Sequence, residues 1–117
     1  MTNRELSLEI AKILDAKKAQ DITIIDIAEK SGFADFFVIA DAGNSRLLEA
    51  LADEAEDKMA ELGEEIHHKE GVGETGWILL DFGDIIINLF TKAQRDHYNI
   101  EKVWADCDKI EYKPERN

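Results

Sequence analysis

Apolar residues recur along this chain at two different periods. Leu6, Ile10, Ile13 and Leu14 follow helical spacing, and Thr2 and Glu5 are set as a capping box, so a helix is predicted over residues 3–18. Ile22, Ile24, Ile25 and Ile27 are β-branched and read as a strand, followed by a turn at Ser31-Gly32. Phe36-Phe37-Val38-Ile39 reads as a second, largely buried strand. Gly43-Asn44-Ser45 supplies a turn and an N-cap for a long helix that buries Leu48, Leu51, Ala52, Ala55, Met59 and Leu62 and stops at Gly63. Residues 65–69 are polar enough for an edge strand. Two stronger strands follow at 77–82 and 85–90, and a helical segment is expected over 95–104. The predicted fold is α/β (α+β): a single mixed sheet of about five strands packed with helices. Residues 1–107 read as one domain, and 108–117 as a polar tail expected to fray.

The hairpin carries the most information. A loop of two residues, Gly83-Asp84, fixes the register by counting outward. Phe82 then faces Ile85, Leu80 faces Ile87 and Ile78 faces Leu89, an apolar set assigned to the core. The opposite face carries Trp77 beside Phe90, Leu79 beside Asn88, and Asp81 beside Ile86. Aromatic anchors with polar neighbours are what protein-binding surfaces use, so these six residues are the candidate partner-binding set. The same pattern also fits a helix lying over this face, with only Asp81 and Asn88 at its margin.

Composition narrows the possibilities. Hydrophobic residues make up 44% and charged residues 34% of 117, which is globular rather than disordered usage. No apolar run approaches the roughly 20 residues that span a bilayer. The charged and apolar alternation from Met1 to Leu14 does not suit a signal peptide. The lone Cys107 excludes an intramolecular disulfide and fits a reducing compartment, so a cytoplasmic location is expected. Acids outnumber bases 26 to 14, a formal charge of −12. Such a surface repels phosphate backbones and attracts basic partners, so direct nucleic-acid binding is disfavoured. Between Glu49 and Glu70 nine acids stand against Lys58 and Lys69, either a solvated helix face or a steering surface.

Reaction chemistry finds little support. His67 and His68 are adjacent, so on a strand they point to opposite faces, and no Cys/His spacing resembles a zinc site. Asp106 and Asp108 flank Cys107 and oppose thiolate formation. Asp81 and Asp84 do not alternate on one strand as paired metal-binding carboxylates do. Gly43-Asn44-Ser45 could bind an anion at a helix start, but without converging acids it reads more simply as an N-cap. No catalytic residue, metal ligand or cofactor is assigned.

Five segments, in order, resemble the ribosome silencing factor (Iojap) family: Ala34-Asp35-Phe36-Phe37-Val38-Ile39; Gly43-Asn44-Ser45; Glu70-Gly71 leading to Trp77; Trp77 to Asp84; and Arg95 to Trp104. The resemblance implies a nucleotidyltransferase-like fold without the transferase's catalytic acids, and no enzymatic activity. It implies a partner, protein number fourteen on the intersubunit face of the large ribosomal subunit, and steric exclusion of the small subunit. It also implies a homodimer when free, and the absence of an Arg-rich transit segment points to a bacterium. Asn88 stands where the family commonly has His, the chain is one residue short between Ser45 and Leu51, and residues 91–94 replace a more acidic stretch. The alternatives are a nucleotidyltransferase-like enzyme using the Gly43-Asn44-Ser45 turn and nearby acids, or a large-subunit assembly factor.

Overall fold

A computed structural model describes residues 1–114. Helix α1 spans Asn3–Ala16, with the expected capping box closed at both ends: Glu5 N donates to Thr2 Oγ1 at 3.1 Å and Thr2 N to Glu5 Oε1 at 2.8 Å. Strand β1 (Gln20–Asp26) leads through a single turn of helix, α2 (Ala28–Ser31), into β2 (Phe36–Ala42). That short turn replaces the plain Ser31-Gly32 turn expected from sequence. Ser31 Oγ stabilises it by accepting from Phe33 N and Ala34 N, both at 3.2 Å. Helix α3 (Ser45–Glu61) begins where Asn44 Oδ1 accepts from Leu47 N at 2.8 Å, the N-cap expected from sequence.

Strand β3 (His68–Glu70) is fully exposed along its length, as an edge should be. It is followed by a 3-10 turn at Gly73–Thr75, then β4 (Trp77–Asp81) and β5 (Ile85–Thr91). The sheet has six strands in the order β3-β4-β5-β2-β1-β6, with β2 and β5 parallel and every other pair antiparallel. All seven residues of β2 are buried, because it is flanked by strands and covered on both faces. The hairpin register is the expected one: Trp77 faces Phe90, Ile78 faces Leu89, Leu79 faces Asn88, Leu80 faces Ile87 and Asp81 faces Ile86. Ile78, Leu80, Phe82, Ile85, Ile87 and Leu89 join the main core with α1 and α3.

The C-terminal region departs from expectation in two ways. Helix α4 runs Lys92–Tyr98 rather than 95–104, and stops at Asn99, which adopts φ +43 and ψ 52 before a 3-10 turn at Ile100–Lys102. Asparagine is one of the few residues that enter the left-handed region at small cost, so it ends the helix. Part of the tail expected to fray is ordered: Lys109–Ile110 form β6 against Ile24 and Ile25, and Asp26 N donates to Asp108 O at 2.8 Å. Residues 115–117 of that tail lie outside the described residues.

At the hairpin tip Gly83 has φ +89, in the left-handed region that favours glycine. A Cβ at Gly83 would lie 2.8 Å from His67 Cε1. Gly83→Ala is therefore predicted to lower stability by about 1–2 kcal/mol, seen as a lower denaturant midpoint at unchanged m-value. An unchanged midpoint would contradict this turn geometry.

Candidate docking site

The second face of the sheet carries the candidate residues, and the backbone register shows how they line up. Asp41, Phe90 and Trp77 form one row across β2, β5 and β4; Ile39, Asn88, Leu79 and Glu70 form the next; Phe37, Ile86, Asp81 and His68 form the third. Strand β3 thus adds Glu70 and His68 to the face defined by the hairpin. Both are exposed, and His68 Nε2 lies 2.9 Å from Glu70 Oε1.

Segment 92–107 folds back over part of this face. Ile100, Trp104 and Cys107 pack against a second apolar cluster that includes Ile25, Phe37, Ile39 and Phe90. Tyr98 reaches Trp77, with ring centroids 4.7 Å apart, and Trp77 stacks on Phe90 at 5.0 Å and 28°. Phe90 is consequently 0% exposed, Asn88 1% and Ile86 8%. The expectation that these three lie at an open surface is corrected: they are the floor of the site, because α4 and the turn after it cover them. Asn88 Oδ1 accepts from Trp77 Nε1 at 3.1 Å, which pins the indole's polar edge inward. Trp77, Leu79 and Asp81 remain half-buried and accessible. One Asp81 oxygen is engaged locally, accepting from Gly83 N at 2.7 Å.

Two accessible members were missed from sequence. Tyr98, 49% exposed, comes from α4, and Glu70 comes from β3. Both lay within segments singled out by the resemblance, but neither could be put on this face without knowing the path of α4 or the pairing of β3.

The covering segment is held by Arg95. Its Nε donates to Glu101 Oε1 at 2.8 Å, Nη1 to Asp41 Oδ2 at 3.1 Å and to Asp21 O at 2.6 Å, and Nη2 to Thr23 Oγ1 at 3.2 Å. Asp41 is 1% exposed, and its Oδ1 has no partner among the described residues. Burial pushes the Asp41 carboxyl above the usual carboxylate range, while the adjacent guanidinium pulls the other way.

Elsewhere, Asn44 acts as the cap of α3, and no group of three or more His, Cys, Asp or Glu among the described residues is placed to hold a metal. No helix among the described residues is long and apolar enough to cross a membrane.

These features define a mixed α/β protein with a single sheet, sealed on one face by α1 and α3 and half covered on the other. A family model described as "Ribosomal silencing factor during starvation" matches residues 1–117. The chain belongs to the ribosomal silencing factor family. It is 34% identical over 111 residues to ribosomal silencing factor RsfS of Halalkalibacterium halodurans, covering 95% of each chain. It is 36% identical over 106 residues to RsfS of Bacillus subtilis, covering 90% of each. The chloroplastic protein Iojap of Zea mays is 31% identical over 108 residues, 90% of this chain and 46% of that protein. A crystal structure of a Chromobacterium violaceum protein superposes with a TM-score of 0.86 at 28% identity, covering 96% of this chain and 92% of that one.

Removing the guanidinium strands a buried carboxylate. Arg95→Met is predicted to destabilise the fold by about 3–5 kcal/mol, measured by chemical denaturation. With Arg95 gone, the main pull against the burial that raises Asp41 is lost, so the native state binds the proton more tightly than the unfolded chain does. The deficit should then shrink on acidification and grow as pH rises through the carboxylate range. A pH-independent loss below 1 kcal/mol would contradict the buried pair.

Proposed function

We propose that the chain represses translation by docking on a basic protein of the large ribosomal subunit, protein number fourteen, and sterically blocking the small subunit from joining. The observation that carries this is the half-open second face. Trp77, Leu79 and Tyr98 offer accessible apolar surface on a buried floor of Phe90, Asn88 and Ile86, bordered by Asp81 and Glu70. Anchors already stacked and hydrogen-bonded lose little freedom on binding, which is where hot-spot energy concentrates. A formal charge of −12 favours encounter with a basic protein and disfavours a bare phosphate surface, an effect that weakens as salt rises. Phe90, Asn88 and Ile86 act by supporting the accessible residues rather than by touching the partner. In the same proposal the protein works in the cytoplasm, is a homodimer when free, and acts by occupancy rather than catalysis.

Trp77→Ala is predicted to abolish co-sedimentation with purified large subunits, a loss of at least about 2 kcal/mol or roughly thirtyfold in affinity. Circular dichroism and a cooperative melt should show the variant still folded. Normal co-sedimentation of a folded variant would remove this face from the mechanism.

A further inference from the structure

Beside Trp77 the open face deepens into a cleft of about 240 Å³, lined by Glu70, Gly71, Thr75, Trp77, Leu79 and Tyr98. It falls below the roughly 300–1,000 Å³ typical of small-molecule sites and suits a single inserted side chain. Its lining has one charged residue, Glu70, and no base. Two of its walls are the rings of Trp77 and Tyr98, whose faces attract cations. The chain makes the same kind of pairing internally, with Lys30 Nζ lying 5.7 Å from the centroid of the Trp104 ring.

Backbone packing sets the carboxylate beside the indole. Glu70 pairs with Leu79 across β3 and β4, which puts it on the Trp77 face. At Gly71, with φ +89, a Cβ would lie 2.0 Å from Trp77 O, so only glycine lets residues 70–71 run this close to Trp77. The Glu70 side chain is 69% exposed and its carboxylate lies 2.9 Å from His68 Nε2, itself exposed, so an incoming cation can engage it from solvent.

We propose that this cleft receives one basic side chain, arginine or lysine, from the protein on which the chain docks. The alkyl stem lies against Leu79 and the rings, and the charged head reaches Glu70. This rests on the docking proposed above and adds the chemistry of the residue recognised. An inserted nucleobase would stack equally well on the rings, but its phosphate would be repelled by Glu70.

The test measures affinity for purified large subunits at stepped KCl, using wild type, Trp77→Ala, Glu70→Gln and Glu61→Gln. Glu61 is exposed on α3, so its neutral variant controls for losing one charge anywhere on the molecule. Glu70→Gln is expected to bind about tenfold more weakly than Glu61→Gln, with a flatter salt dependence and an unchanged melting temperature. If Trp77→Ala fails to bind while Glu70→Gln matches Glu61→Gln, the docking face stands and the basic insertion is overturned. Tighter binding by Glu70→Gln would also overturn it and indicate a phosphate-bearing neighbour. Normal binding by Trp77→Ala would overturn both proposals.

Discussion

A buried guanidinium organises one whole face of this molecule's sheet. Arg95 joins α4 and the following 3-10 turn to β1 and β2 through Asp41, Glu101, Thr23 and the carbonyl of Asp21. A charge so nearly enclosed persists only if it is paired, and breaking the pair costs more than forming it returns. Its worth is therefore specificity of placement more than net stability. It dictates where segment 92–107 lies, and hence which part of the second sheet face is covered.

The division of that face follows directly. Ile100, Trp104 and Cys107 cover the apolar cluster around Ile25, Phe37 and Ile39, while Tyr98 reaches the rings of Trp77 and Phe90. The outer strands β4 and β3 keep Trp77, Leu79, Asp81, Glu70 and His68 within reach of solvent. An aromatic residue laid on a packed floor is a better anchor than one on a mobile loop, because its orientation is settled before any partner arrives. Asn88 contributes to that floor by accepting a hydrogen bond from the indole N–H through its amide oxygen.

Much of the fold was legible from local rules. The two-residue loop at Gly83-Asp84 settled the hairpin register, since slipping it by one residue would turn the apolar set of one strand, Ile78 and Leu80 or else Ile87 and Leu89, out of the core. The capping residues Thr2 and Asn44 marked their helix starts because each side chain bonds its own first turn. What escaped depended on distant partners. Arg95 meets Asp41 across 54 residues, so nothing in its neighbourhood announced burial or the return of α4. The ending of α4 at Asn99 and the short polar β6 were equally opaque, because a two-residue strand carries no period and draws its order from β1. The register that aligns the candidate residues was therefore legible, but their depth was not: Phe90, Asn88 and Ile86 proved to be floor.

The central claim is that the accessible rings beside β4 are where the large subunit is met. Hydroxyl-radical footprinting of the protein alone and bound to purified large subunits addresses it side chain by side chain. Oxidation of Trp77, Leu79 and Tyr98 should fall sharply on binding, while Tyr112, which bonds Asp15 beside α1 on the far side of the sheet, should keep its free reactivity. Unchanged oxidation at Trp77 and Tyr98, with protection moving to the α1 and α3 face, would contradict the account.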